Sequence, residues 1–184
     1  MRPILTAKEY ERVLRELSPD QRQQAVDAIV SAARELMTKH GLSRGVFLCG
    51  EPLREIGELA AKDLDAATVL PAGEVLPPVS DVLICDLLFP SSVKSSIRSF
   101  TPILSVGIPA GVDPDTGRAP ADAVHADITV APFGYLPGLF LHDGLDHCGE
   151  IRPVGGEAET FDGLCRFEGK DASRLLPPRK RTAH

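Results

Sequence analysis

Residues 101–117, TPILSVGIPAGVDPDTG, decide how the chain is read. Ile103 to Ile108 form an apolar run bounded by Pro102 and Pro109. The run is too short for a helix and matches a strand buried on both faces. From Pro109 it breaks into PAGVDPDTG, where proline, glycine and aspartate stand too close together for a regular element. In an open α/β sheet, ligands bind just beyond the carboxyl ends of the strands. A polar, glycine-containing loop leaving a buried strand is therefore the first candidate for chemistry.

The elements around this stretch alternate. Tyr10, Val13, Leu14 and Leu17 recur at helical spacing. Ser18-Pro19-Asp20-Gln21 reads as a helix start, with Ser18 at the N-cap, Pro19 at the first helical position and Gln21 three residues on. Val26, Ile29, Val30, Ala33, Leu36 and Met37 then line one face up to His40, and Gly41 supplies the stop. Short strands are expected at Val46 to Cys49, Ala67 to Leu70, Val82 to Leu87 and Asp127 to Phe133. A further edge strand fits Gly149 to Val154, where Pro153 is tolerated. Helices are expected over Pro52 to Leu64 and Ser91 to Phe100, whereas the prolines of Pro71 to Ser80 exclude a full helix there. The alternation predicts a mostly parallel, doubly wound α/β sheet. Periodicity fades after Gly155-Gly156. One domain is expected over residues 1–156, followed by an irregular extension, 157–184, ending in a disordered basic tail.

Composition narrows the function classes. The 184 residues are 43% hydrophobic, and 26 acidic against 20 basic residues give a net charge of −6. Such a chain has no broad attraction for phosphate backbones or anionic lipid, which argues against nucleic acid as principal ligand. No run approaches the ~20 apolar residues of a membrane span, and MRPILTAKEYERVLRE has no signal-peptide core. Cys49, Cys85, Cys148 and Cys165 are scattered, with no pair at metal-ligand spacing. Cys49 and Cys85 lie in apolar strand contexts, as buried thiols of a reducing compartment do. The expected location is the cytoplasm.

Several motifs together resemble the NAD(P)H-hydrate epimerase family, the YjeF N-terminal domain. They are GIPAGVDPDTG, Ala123-Val124-His125-Ala126-Asp127, ITVAPF, Leu136-Pro137-Gly138-Leu139 and Asp146-His147-Cys148-Gly149-Glu150. Upstream, Phe47-Leu48-Cys49-Gly50 is similar to the family's first strand, and Val82 to Phe89 to a later one. The resemblance implies a Rossmann-like three-layer α/β/α fold and a homodimer. It also implies interconversion of the epimers of hydrated NADH or NADPH with a bound potassium ion. Carried over residue by residue, it points to Gly50, Asp86, Phe89, Ile108, Gly111 and Asp113 as ligand-binding, to Asp86 as a metal ligand, and to Lys94, eight residues after Asp86, as catalytic.

The departures from that pattern shape the functional reading. The family's Asn-Asn-Gly-Gly-Asp-Gly is replaced by residues 51–58, EPLREIGE, in which only Gly57 remains and three glutamates oppose a pyrophosphate. Gly107 stands where the family has its proton-transferring Asp, and Ala110 where a Ser holds potassium. Only Asp86 survives of that cation set, whereas a hard cation needs several oxygens. Epimerisation requires groups that exchange protons near neutral pH, and Lys94 is left without its partner acid. The resulting expectation is a divergent domain with weak or absent epimerase activity, a pseudoenzyme that keeps a small-molecule or nucleotide pocket. The alternatives are a non-catalytic module for a protein partner, or another isomerase or lyase reaction in the same pocket. Asp86 also fits a structural hydrogen bond to residues 107–111, and Asp113 and Asp115 fit Asx-turn roles. His125, His142, His147 and Cys148 offer metal-ligand chemistry, but at no recognised spacing.

Overall fold

The computed structural model describes residues 1–64, 66–72, 81–87, 89, 101–157 and 163–166. The helix expected over Ser91 to Phe100, Lys94 with it, and the tail from Pro177 lie outside the described residues, as does most of the segment Pro71 to Ser80.

The chain opens with β1 (Arg2–Pro3), α1 (Ala7–Arg15) and α2 (Pro19–His40). Both helices begin in capping boxes, Thr6 with Glu9 and Ser18 with Gln21, and so satisfy amide groups that a helix start leaves unpaired. Gly41 ends α2 in the left-handed conformation, as its position after the last apolar residue predicts. There follow β2 (Arg44–Cys49), α3 (Arg54–Asp63), β3 (Ala67–Pro71), β4 (Val82–Leu87), β5 (Ile103–Val106) and β6 (Ile128–Pro132). A short 3-10 turn at Pro137–Leu139, α4 (Gly144–Cys148), β7 (Glu150–Val154) and β8 (Cys165–Arg166) complete the described elements.

Six strands form one sheet in the order β3-β2-β4-β5-β6-β7, and every neighbouring pair is parallel. The fold is a Rossmann-like three-layer α/β sandwich. From β2 the chain moves outward to β3, then returns to β4 on the other side of β2 and continues outward. The order therefore reverses at the β2–β4 pair, and a crevice is expected above the carboxyl ends of these two strands.

Strand alternation divides the core. Leu83, Cys85 and Leu87 of β4 join the large cluster that packs under α1, α2 and α3, whereas Val82 and Ile84 join a second cluster with Leu48, Ile103, Ala110, Val124 and Ala126. Asp86 shares the parity of Val82 and Ile84 and so lies on the second face. Each fully buried Leu, Ile or Phe contributes about 1.5–3 kcal/mol relative to exposure. Central strands buried on both sides therefore need no polar alternation, and β4 is buried at all six positions.

Two strand ends differ from expectation. The central strand stops at Val106 rather than Ile108, because Gly107 takes φ +83° and turns the backbone out of the sheet. The next strand stops at Pro132, where Phe133 adopts φ +59°. The antiparallel pairing of β1 with β8 has no signature in the sequence, since two-residue strands carry no periodicity. Arg2 reinforces it through Glu157 at 3.0 Å, and Arg166 lies over the rings of Phe140 (4.1 Å) and Tyr135 (5.6 Å). Part of the extension after residue 156 is thus docked on the N-terminal strand and the Pro-Gly-Leu loop.

Candidate functional site

The carboxyl ends of β2, β4 and β5, adjacent in the sheet, bring five of the singled-out residues together: Gly50, Asp86, Phe89, Ile108 and Gly111. Gly50 follows β2 and is tied to β4 by its N–H, which donates to the Leu87 carbonyl at 3.0 Å. Asp86 is the penultimate residue of β4 and is wholly buried. Its Oδ2 accepts the Ala110 N–H at 2.7 Å and the Ser105 hydroxyl at 3.1 Å. A buried carboxylate is tolerated when such donors satisfy it. Asp86 thereby fixes the backbone that leaves β5.

That backbone is tightly confined. A Cβ on Gly111, which takes φ +91°, would stand 2.9 Å from the Cα of Ala123, so no side chain fits there. At Gly107 a Cβ would lie 3.4 Å from Cε1 of Tyr10 and 3.7 Å from Phe89. Tyr10 and Phe89 pack edge to face with centroids 5.4 Å apart. Tyr10 is brought here by α1, an element that strand-end reasoning does not consider. Its helical spacing with Leu14 and Leu17 marks only a core face.

Asp113 is engaged in a local turn. Its Oδ1 accepts the N–H of Asp115 at 3.1 Å, and the N–H and hydroxyl of Thr116 at 2.7 Å each. The Thr116 side-chain hydrogen bond is the main cause that holds the Asp113 carboxyl below the usual carboxylate range. Asp115 accepts the Ala7 N–H at 2.7 Å, and so anchors the loop to the start of α1.

The turn between β2 and α3 also departs from its charge count. Glu55 pairs with Arg22 at 3.1 Å and Glu58 with Arg54 at 2.9 Å, so two of the three glutamates there are partly neutralised. Gly57 serves close packing: a Cβ on it would collide with Cys49 Sγ and lie 3.2 Å from Leu87 Cδ2. A cleft of about 300 Å³ opens beside this turn, lined by Leu14, Arg15, Arg22, Glu51 and Pro52. A larger groove of about 610 Å³, between Asp27, Arg34 and Lys62, lies at the far end of α3, away from the strand carboxyl ends.

The residues do not fit a potassium cage. Of the implied oxygen donors, Ala110 has no side-chain oxygen, and one Asp86 oxygen already receives two hydrogen bonds. Three of the histidines each engage one ring nitrogen. His125 and His147 stack with centroids 3.8 Å apart, and each sets Nδ1 on a backbone carbonyl, of Asp146 and Val124 respectively. His142 Nδ1 contacts the Thr116 carbonyl at 2.8 Å. Among the described residues, no three His, Cys, Asp or Glu side chains converge as metal ligands. Nor is any described helix long and apolar enough to cross a membrane.

No family model matches the chain. Among curated proteins it is similar to the bifunctional NAD(P)H-hydrate repair enzyme Nnr of Vibrio cholerae, 31% identical over 141 residues, covering 67% of this chain and 28% of the relative. The enzyme of the same name from Escherichia coli is 28% identical over 152 residues, covering 73% of this chain and 30% of that protein. The Archaeoglobus fulgidus enzyme is 31% identical over 150 residues, with the same 73% and 30% coverage. The chain thus spans about a third of the length of the curated relatives it matches.

Proposed function

Because the chain is a divergent member of the NAD(P)H-hydrate epimerase family, we propose that it keeps a small-molecule pocket of the nucleotide class above β2, β4 and β5 and retains weak or no epimerase activity. The relatives repair NAD(P)H-hydrate by name, which makes that compound or a fragment of it the first ligand to test. The observation that carries the reading is the space beside Gly107. A Cβ there is accommodated, but the rings of Tyr10 and Phe89 close round it, where the resemblance calls for an acid. A proton acceptor for the epimerisation is thus missing at its expected place, and Asp86 is engaged in holding the loop. The reading extends to a homodimer, as the resemblance implies, and to the cytoplasm, as the apolar setting of the cysteines suggests.

One experiment tests the activity. Purified protein is mixed with a single epimer of hydrated NADH, and the epimers are separated chirally with time. Interconversion no faster than in buffer is expected, and enzyme-like acceleration overturns the reading. Calorimetric titration with NADH and ADP-ribose tests the pocket. Binding supports it, and silence to both turns the assignment towards a protein partner.

A further inference from the structure

Tyr10 carries a feature that its neighbours in the core do not. The side chain is wholly buried, yet its hydroxyl has no hydrogen-bond partner. Burying a hydroxyl without a partner costs stability that a phenylalanine of the same shape would not incur. A tyrosine used only for packing gains nothing from that oxygen. The place is also not an arbitrary part of the core: the ring lies against Gly107, where β5 ends, and against Phe89, just past β4. The β4 end borders the crevice in which ligands of this sheet topology sit, and the β5 end adjoins it on the next strand. The neighbouring acid, Asp86, already receives the Ala110 N–H and the Ser105 hydroxyl.

We infer that Tyr10 is a ligand-binding residue of this site, its phenol hydroxyl donating to an uncharged acceptor of the ligand, of the carboxamide-carbonyl class that a nicotinamide carries. This rests on the pocket proposed above and names the group that recognises its ligand. The chemistry favours a neutral acceptor. Burial pushes the phenol far above its ordinary pKa, so the group stays protonated and acts as a donor rather than as a base. An anionic phosphate is better served by backbone amides or cations, and the described residues offer no cation against this ring. Since solvent does not reach the hydroxyl, binding includes a local displacement of the Tyr10–Phe89 pair.

The test is Tyr10→Phe, which keeps the ring and removes only the oxygen. Urea unfolding of the ligand-free variant reads the orphan hydroxyl, and calorimetry with NADH and with ADP-ribose reads the contact. The expected result is a ligand-free protein as stable as the wild type or more so. Its dissociation constant for NADH rises about threefold to tenfold, the worth of one hydrogen bond. ADP-ribose, which lacks the carboxamide, binds both proteins alike. Equal NADH affinity in the two proteins overturns the role of Tyr10 while leaving the pocket intact. A destabilised ligand-free variant overturns it as well, by showing the hydroxyl to be satisfied already. A wild type that binds neither compound removes the pocket itself, and this inference with it.

Discussion

Asp86 and Ala110 are joined across 24 residues of sequence by a 2.7 Å hydrogen bond from backbone N–H to carboxylate. The contact links the end of β4 to the loop that leaves β5, with both partners in the interior. Asp86→Ala leaves the Ala110 N–H and the Ser105 hydroxyl without this acceptor. A loss of about 2–6 kcal/mol is expected, since each of the two abandoned buried donors costs about 1–3 kcal/mol. Asp86→Asn retains a carbonyl oxygen and is expected to lose less than half as much. Urea unfolding of the two variants checks this, and equal losses would show that the acceptor geometry is not what Asp86 supplies.

The same bond bears on cation dependence. A carboxylate already serving two donors beside an alanine is a poor potassium ligand. Melting temperatures in potassium chloride and in choline chloride of equal ionic strength are expected to coincide. A potassium-specific rise that saturates would mean that an ion competes successfully with Ser105 and Ala110.

Much of this architecture is legible in the sequence, for identifiable reasons. Ser18-Pro19 and Gly41 mark both ends of α2, because capping chemistry is local. Val82 to Leu87 is read to its limits, because a doubly buried strand flanked by breakers has no other reading. What escapes is long-range. The β1–β8 pair rests on two residues a side. Gly57 passes for a remnant of a phosphate loop, but it lets α3 approach Cys49 and Leu87. Tyr10 reads as one more apolar position on α1, because periodicity reports the face of a helix and not which strand end it covers. The loop read first for chemistry, residues 109–117, has both its acids engaged in turn and anchor bonds.

Asp113 gives a pH dependence of defined sign. The Thr116 hydroxyl, aided by the Thr116 and Asp115 amides, lowers the folded-state pKa of Asp113 below that of the unfolded chain. Its contribution is therefore complete above the ordinary aspartate value of about 3.9 and is lost as pH falls through the lower folded value. The side chain is exposed, so solvent weakens the effect. Asp113→Asn is expected to flatten the stability–pH curve below about pH 4 and to leave its slope unchanged above pH 6. Urea midpoints across that range decide it, and a parallel curve counts against the Thr116 contact.

The thiols separate into two classes. Burial pushes Cys49 and Cys148 up to about 12, and Cys85 well above its usual value. Cys165, in β8, is the partly exposed one. At pH 8 the thiolate is the reactive form. One thiol is expected to react quickly with a disulfide reagent in the native protein, with the other three appearing only in denaturant. Rapid native labelling of two or more would contradict the burial of Cys49, Cys85 and Cys148.

Gly107→Asp asks whether an acid fits at the end of β5. The backbone there has φ +83°, which aspartate adopts more readily than most residues, at a cost of about 1–2 kcal/mol. The Cβ itself is accommodated 3.4 Å from Tyr10, but a carboxylate carried beside the apolar rings of Tyr10 and Phe89 is poorly solvated. The single variant is therefore expected to be destabilised and to gain no epimerase activity. Tyr10→Ala removes the nearer ring, at the usual cost of an aromatic truncation of about 3–5 kcal/mol. In that background Gly107→Asp is expected to cost less than in the wild type, by about 1–2 kcal/mol of coupling. Urea unfolding of the four proteins in the cycle measures it. Costs that add within about 0.5 kcal/mol, the behaviour of independent sites, would show that Tyr10 does not bound the space beside Gly107.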